Sequence, residues 1–360
     1  MLRLSLAGTS PPWLRTISRP RATNGLDPIE GRKVDMHRKL VLWSVGIILG
    51  GTLLGSAGYL AATSMPDMRV AATVKSAVGL AAVKVLSLIP ASAKDFVACT
   101  SASGDAAIAA CTRAIDSGRF DDDVLSSFHT IRGAAYSLKD DHERAIADYS
   151  EAIRLDADDA EIFLLRGKVR RLIGDDINAI ADFNEAIRLD PSASAFNQRG
   201  IVRSRMGDYE NAIADFSEAI RLDADASAFN ERGFARSRMG DYENAIADFS
   251  EAIRLGQHVT VALEARAGAR LDKNDYDGAI ADFSELIRRD PANAELFRRR
   301  GLVWGDKGDH NRAIADFSEA IRLDPTNRDL YHLRGNAWQA NGDMDRARAD
   351  RSEAMRLMMQ

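Results

Sequence analysis

Apolar and polar positions recur over residues 94–360 with a period of about 34 residues. The phrase A-I-A-D-[FY], or a close copy of it, begins at Ala145, Ala179, Ala212, Ala245, Ala279, Ala313 and Ala347, at intervals of 34, 33, 33, 34, 34 and 34 residues. Each interval holds two stretches whose apolar residues return every three to four positions, with a turn such as Gly207-Asp208-Tyr209 between them. This pattern predicts one helix–turn–helix in every interval.

Small and aromatic residues keep fixed places within each interval. A glycine stands twelve residues before the first alanine of the phrase, except where Ala267 replaces it. An aromatic ring follows that alanine by four residues, from Tyr149 in the first unit to Phe317 in the sixth. We expect the small residues to let two antiparallel helices approach closely, while the ring fills the space against the next unit. Because one unit alone cannot bury the ring, the units should stack.

These columns resemble the tetratricopeptide repeat, in which small and aromatic residues and a closing proline occupy matching positions. The closing proline is present at Pro191, Pro291 and Pro325. The resemblance covers seven units, at residues 126–159, 160–192, 193–225, 226–259, 260–293, 294–327 and 328–360. It implies an all-α fold in which the helix–turn–helix repeats form a right-handed α-solenoid.

Residues 94–125 resemble the leading cap, an incomplete repeat, of exported bacterial tetratricopeptide proteins. The segment from Ala107 to Cys111 copies the second-helix phrase, with Cys111 in place of the ring. The resemblance favours a disulfide between Cys99 and Cys111, and two buried free thiols are the alternative. Such a bond would close a loop of about a dozen residues and contribute about 3 kcal/mol.

Two neighbouring units are nearly identical. Residues 193–225 and 226–258 match at 27 of 33 aligned positions, which points to an internal duplication. The pairs that differ are Gln198/Glu231, Ile201/Phe234, Val202/Ala235 and the last three residues. Those last residues, Gly256-Gln257-His258, replace the Asp-Pro or Asp-Ala of other links. If the array has a flexible joint, we expect it there.

The first 93 residues carry a different pattern. Residues 1–39 are rich in arginine and show no lasting periodicity, so we interpret them as a basic flexible tail or an organelle transit peptide. Residues 40–62 contain no charged side chain, and this length spans about 30 Å of hydrocarbon. We predict a transmembrane helix, or part of an export signal, at 40–62. The preceding positive charges would keep the tail cytoplasmic and place the repeats across the membrane.

A linker with a second, weaker apolar stretch occupies residues 63–93. It ends in Ala91-Ser92-Ala93, a small-x-small pattern, so cleavage after Ala93 is the alternative to an uncleaved anchor. G-x-x-x-G spacing within 40–62 permits close helix approach and hence a homodimer. The predicted location is a single-pass membrane protein with periplasmic repeats, or the periplasm after signal cleavage.

Charge and motif content argue against several function classes. The chain has 48 basic and 53 acidic side chains, of which residues 1–93 hold 11 and 4 and the repeats 37 and 49. An acidic repeat domain argues against nucleic acid as a partner. Two cysteines cannot form a four-cysteine zinc site, and the six histidines are scattered. The phosphate-binding, nucleophile-elbow and zinc-protease motifs do not occur in the sequence. We therefore expect no enzyme, no cofactor and no metal site.

Arginine occupies the position before the column glycine, where the family usually has leucine. These residues are Arg132, Arg166, Arg199, Arg232, Arg266, Arg300 and Arg334. Aspartates recur in the second helices at Asp148, Asp182, Asp215, Asp248, Asp282, Asp316 and Asp350. Partly buried guanidinium groups need such partners. We expect an internal arginine–aspartate ladder, and a surface for acidic ligands is the alternative.

The resemblance also implies a concave groove that binds proteins or peptides through first-helix side chains. The corresponding residues are Leu164, Lys168, Arg171, Asn197, Ile201, Arg205, Asn230, Phe234, Arg238, Glu264, Arg298 and Leu302. Their mixture suggests an extended peptide, with asparagine on its backbone, arginine on its acids and an apolar floor. The Lys-and-Asn clamp by which related chaperone adaptors hold a C-terminal carboxylate is not reproduced.

We therefore predict a non-catalytic scaffold that binds protein or peptide partners at or near the membrane, with its repeats on the periplasmic side. A receptor of the same fold in a mitochondrial or other organelle membrane is the alternative, for which the Arg/Ser-rich tail is the evidence.

Overall fold

The computed structural model of this protein describes residues 91–359, with side chains from Lys94 onward. The tail, the predicted transmembrane helix at 40–62 and the linker up to residue 90 lie outside the described residues. Within 91–359 the chain forms sixteen α-helices and no strand. No helix in that range is both long and apolar enough to cross a membrane.

The helices pair in chain order. They are α1 (Ala91–Ser101), α2 (Gly104–Asp116), α3 (Asp122–Ser137), α4 (His142–Leu155), α5 (Ala160–Leu172), α6 (Asp176–Leu189), α7 (Ala193–Arg205), α8 (Tyr209–Leu222), α9 (Ala226–Arg238), α10 (Tyr242–Leu255), α11 (Val259–Asp272), α12 (Tyr276–Arg289), α13 (Ala294–Asp306), α14 (His310–Leu323), α15 (Arg328–Ala340) and α16 (Met344–Met358). Each odd-numbered helix packs on the even-numbered helix that follows it, and each even-numbered helix packs on the next odd-numbered one. The predicted all-α repeat solenoid is therefore confirmed.

Glycine and aspartate make the turn inside each unit. Gly207 ends α7 with φ +83°, a left-handed conformation that glycine adopts without steric cost. Asp140 and Asn274 occupy this place in two units with φ 59° and 61°, as short polar side chains tolerate best. An aspartate next to this residue caps the second helix, as Asp241 does by accepting a hydrogen bond from the Asn244 amide.

The column glycine makes room for the ring of its own unit. A Cβ atom on Gly167, Gly200, Gly233 or Gly301 would lie 2.6–2.7 Å from the Cε1 atom of Phe183, Phe216, Phe249 or Phe317, respectively. The sequence had suggested that the ring fills space against the next unit. It does so as well, since Phe216 also packs with Ala235, but the glycine is required by the contact within the unit.

The link at Gly256-Gln257-His258 differs from the others. Gly256 ends α10 with φ 80°, and His258 precedes α11 with φ 51° and without a side-chain cap. At the link before α9, by contrast, Asp225 caps the helix by accepting from the Ser227 amide. This link therefore lacks the side-chain cap that the link before α9 has, and a flexible joint there stays a prediction.

The leading cap consists of α1 and α2. Cys99 and Cys111 are bonded in a disulfide, and both are fully buried against Phe128 of α3. Phe96 and Phe120 contact the Phe128 ring edge-on. An aromatic cluster and a covalent bond thus fill the place that a ring alone fills in the later units.

Candidate functional site

The arginine column forms the predicted internal ladder. In the unit of α9 and α10, Arg232 donates from Nε and Nη2 to the two carboxylate oxygens of Asp248, at 3.1 and 2.8 Å. Its Nη1 donates to Ser217 Oγ of the preceding unit at 3.0 Å. Asp248 is 3% exposed. A buried bidentate pair with a third bond across the unit boundary joins two helices of one unit to the unit before it.

The same arrangement recurs along the array. Arg132, Arg166, Arg199, Arg266, Arg300 and Arg334 bind Asp148, Asp182, Asp215, Asp282, Asp316 and Asp350, with Nη1 on Thr112, Ser150, Asn184, Ser250, Ser284 and Ser318. In four units a second arginine reaches the same carboxylate, as Arg236 does at 2.6 Å. The ladder arginines are thus structural, and they are not free for acidic ligands.

The first helices of neighbouring units lie side by side. Direct contacts join α3 to α5, α5 to α7, α7 to α9 and α9 to α11, whereas in the described part of the chain successive second helices are farther apart. The solenoid therefore curves with its first helices on the inner side. All twelve predicted groove residues lie on first helices, on α5, α7, α9, α11 and α13.

Two of the predicted groove arginines are engaged within the protein. Arg205 pairs with Asp176, and it also donates to the Arg171 carbonyl oxygen at 3.1 Å, which ties α7 to the preceding unit. Arg298 pairs with Glu295 one turn earlier on α13, at 2.6 Å. These two guanidinium groups already have acceptors, so they are poorer candidates for ligand contact than their positions suggest.

The apolar groove residues differ in how open they are. Leu164 is 5% exposed and belongs to the core under α5 and α6. Ile201 and Leu302 are partly buried against neighbouring clusters. Phe234 is 39% exposed, and its ring stands edge-on against Phe249 at 5.2 Å between centroids. Phe234 therefore offers the groove an aromatic face.

Unsatisfied polar atoms concentrate on three consecutive first helices. Among the residues that the structure describes, seven buried side-chain nitrogen or oxygen atoms have no hydrogen-bond partner. Five of them lie on α5, α7 and α9, namely Arg171 Nε, Asn197 Oδ1, Gln198 Oε1, Asn230 Oδ1 and Ser237 Oγ. A buried polar atom without a partner costs stability and is rare in folded proteins, so such a cluster needs a reason.

Burial shifts the pKa of two charged side chains on these helices, Glu231 and Arg171, and within the described residues neither forms a hydrogen bond or a salt bridge through its charged group. Burial raises the pKa of the Glu231 carboxyl, although the charge of Arg171 opposes that shift. Burial lowers the pKa of the Arg171 guanidinium, the like charge of Arg205 adds to this, and Glu231 opposes it. Glu231 and Gln198 were not among the predicted groove residues, although they stand at a position where the duplicated units differ.

Two recesses occupy equivalent places in successive units. The larger, about 560 Å³, is lined by Leu164 and by acids that include Asp156, Asp159 and Asp190. The second, about 190 Å³, is lined by Asn197, Asp223 and Asp225, one unit further along. The links between units thus place an acidic rim beside these groove positions.

No cluster of three or more metal-binding side chains is present within residues 91–359.

Comparison with known proteins identifies the repeat. Sequence profiles described as tetratricopeptide repeats match residues 160–192, 197–260, 230–294, 264–328 and 299–354, and one described as a TPR repeat matches 133–174. No curated protein matches the chain.

Solved structures resemble the fold. The C-terminal part of a TPR repeat-containing protein from Cytophaga hutchinsonii is 20% identical, with 63% of this chain and 93% of that one covered and a TM-score of 0.55. A tetratricopeptide repeat protein from Parabacteroides merdae is 20% identical, with 64% and 93% covered and a TM-score of 0.47. YrrB, described as a TPR protein with an unusual peptide-binding site, is 21% identical, with 54% and 97% covered and a TM-score of 0.46.

Proposed function

This chain belongs to the tetratricopeptide repeat family, and on that premise we propose that it is a non-catalytic scaffold whose inner surface binds an extended peptide segment of a partner protein. The observation that carries the proposal is the run of unsatisfied polar atoms on α5, α7 and α9. These atoms are shielded from water in the free protein, and Asn230 is only 5% exposed, so the side chains must rotate towards the groove when a peptide enters. The peptide backbone then supplies the donors and acceptors that they lack.

The two asparagines are the central contacts of the proposed site. Asn197 and Asn230 stand at the same place in the duplicated units, and an amide side chain can both donate to and accept from a peptide backbone. Ile201 and Phe234 stand one turn further along each helix and provide apolar contact area beside them. Two equivalent contacts one unit apart suit an extended segment better than a compact ligand.

A binding comparison within the duplicated units tests the proposal. The partner protein is first identified by crosslinking to the wild-type chain and mass spectrometry. The double variant Asn197→Ala with Asn230→Ala should then no longer crosslink to that partner. The matched control is Asn211→Ala with Asn244→Ala, which changes the same residue type in the same two units. These asparagines lie on the second helices α8 and α10, where they donate hydrogen bonds to Asp208 and Asp241. If both double variants capture the same partner equally, the groove is not the binding surface.

We further propose that residues 40–62 anchor the scaffold in a membrane, with the repeats on the periplasmic side. The Cys99–Cys111 disulfide supports an oxidising compartment, because such bonds persist outside the cytosol. Export with cleavage after Ala93 would deliver the repeats to the same side, and the glycines of 40–62 allow a homodimer in the anchored form.

Topology and processing need two measurements. A reporter enzyme that is active only after export should be active when it is fused after Leu330. Activity of a reporter that works only in the cytoplasm, fused at the same place, would contradict this orientation. N-terminal sequencing of the mature protein distinguishes the anchor from the cleaved signal.

A further inference from the structure

Several charged side chains on the first helices are paired, whereas Lys168, Arg171, Glu231 and Arg238 on α5 and α9 form no ion pair within the described part of the chain. Arg205 pairs with Asp176, and Arg298 and Arg299 both pair with Glu295. Glu231 on α9 and Arg171 on α5 are partly buried, yet the structure gives neither a hydrogen bond nor an ion pair to its charged group. Removing a charge from water without a direct partner is costly, and the longer-range attraction between Glu231 and Arg171 offsets only part of the burial cost at the two positions.

The duplicated units supply an internal comparison for Glu231. At the equivalent positions on α7, the preceding unit has Gln198 and Ile201, where α9 has Glu231 and Phe234. Both differences favour a cation on α9, because a carboxylate attracts it directly and an exposed aromatic face attracts it through the ring quadrupole. Glu231 and Phe234 are three residues apart, hence neighbours on one face of the helix.

Arg171 has the opposite requirement. Among the guanidinium nitrogens of Arg171, Nε is buried without a hydrogen-bond partner. Nη1 and Nη2 are not buried in this way, so a ligand can reach them. Its charge would repel a cation beside Glu231 unless a negative group of the same ligand neutralised it. The charges of Glu231 and Arg171 therefore suit one ligand that carries both a positive and a negative group.

We infer that the groove formed by α5, α7 and α9 selects a peptide with a basic and an acidic side chain within a few residues of each other. The basic side chain lies on Phe234 with its charged end on Glu231, and the acidic side chain binds Arg171. This inference rests on the proposed peptide-binding function and specifies the ligand. Each charge then gains on binding a direct ion pair, which it does not form in the described part of the free protein.

Selection from a phage-displayed library of random nine-residue peptides on the full-length chain tests the inference. We expect the wild-type chain to enrich peptides with Arg or Lys close to Asp or Glu. Glu231→Gln, which installs the residue of the preceding unit, should remove the preference for a basic residue and leave the acidic one. Arg171→Gln should do the reverse. A selected peptide should bind either variant about 10- to 100-fold more weakly.

The stability of the free chain provides a second readout. If Glu231 and Arg171 serve ligand binding, each glutamine variant should resist denaturant at least as well as wild type, because the burial cost that is removed exceeds the longer-range attraction that is lost with it. A loss of stability in either variant would mean that the charge has a structural partner, and it would overturn the inference.

The outcomes separate the two proposals. Enriched peptides without basic residues, or an unchanged preference in Glu231→Gln, would overturn the inference while leaving peptide binding intact. Failure of the wild-type chain to enrich any peptide would remove the proposed function together with the inference.

Discussion

Replacement of the column glycine in the fourth unit should destabilise the array, although alanine is the better helix former. In Gly233→Ala the new Cβ atom would lie 2.7 Å from Phe249 Cε1 and 2.9 Å from Cζ, well inside the ordinary contact distance of 3.4 Å. Phe249 is fully buried, so its ring can retreat only by displacing its neighbours. Overpacking of this kind costs about 1–3 kcal/mol, from which a helix-propensity gain of about 1 kcal/mol must be subtracted. The difference is about 0–2 kcal/mol, and we expect a net loss near its middle, about 1 kcal/mol, because the contacts are far inside the ordinary distance.

The next unit offers a matched control. Gly268 also lies inside a first helix, α11, but a Cβ atom there would meet nothing within 4 Å. Gly268→Ala should therefore stabilise the array by about 0.5–1 kcal/mol. Ala267, which already occupies the glycine column of that unit, shows that a methyl group is tolerated where the packing has adapted to it. Gly233→Ala should accordingly weaken the protein without preventing it from folding.

Denaturant titration followed by far-UV circular dichroism gives the unfolding midpoints of the three proteins. We expect the highest midpoint for Gly268→Ala, an intermediate one for wild type and the lowest for Gly233→Ala. Because repeat arrays unfold in parts, native-state hydrogen exchange should locate the loss in α9 and α10 and their neighbours. Equal midpoints for the two variants, or a less stable Gly268→Ala, would refute the steric explanation of the glycine column.

Three further predictions concern other parts of the array. Asp248→Asn leaves Arg232 and Arg236 around a neutral buried group, which should lower the free energy of unfolding by about 3–5 kcal/mol. The shift of the denaturant midpoint measures this loss, and a change below about 1 kcal/mol would show that the ladder contributes little. Cys99→Ser with Cys111→Ser should lower the stability of the cap by about 3 kcal/mol. Hydrogen exchange should become faster in α1–α3 alone, and an equal increase along the whole array would contradict a local role for the disulfide. Burial, with smaller effects from the charges of Asp148 and Glu161, raises the pKa of Tyr149 from 10.0 to about 12. Its protonated form therefore stabilises the folded state fully below pH 10 and loses that effect as the pH rises towards 12, so Tyr149→Phe should flatten the alkaline decline of the denaturant midpoint.

The periodic features of this fold could be predicted because they depend on local spacing. A Gly-Asp turn ends one helix and caps the next through contacts a few residues apart, so its signal is visible in the sequence. The arginine and aspartate columns were visible for the same reason. The third bond of the ladder, from Arg232 to Ser217, was not, because it depends on how one unit sits on the previous one.

The groove shows where spacing alone stops being informative. Arg205 and Arg171 both fit the positions that line the inner surface, yet Arg205 is held by Asp176 while the Arg171 guanidinium forms no hydrogen bond or salt bridge among the described residues. Whether a long side chain is free depends on which acid the tilt of the neighbouring helices brings within reach. That tilt is a property of the packed array, and no residue type encodes it.

Glu231 could nevertheless have been found from the sequence, by comparing the chain with itself. In two copies that match at 27 of 33 positions, the ladder, the turn and the ring are identical. The helical differences are Gln198/Glu231, Ile201/Phe234 and Val202/Ala235, and the third pair is buried in both copies. The two pairs that are not fully buried are the ones that change charge and aromatic character. Where packing requirements are identical, a change from neutral to charged at a partly buried position has a burial cost that the attraction of Arg171 offsets only in part, so the reason for Glu231 should be sought in what the groove binds.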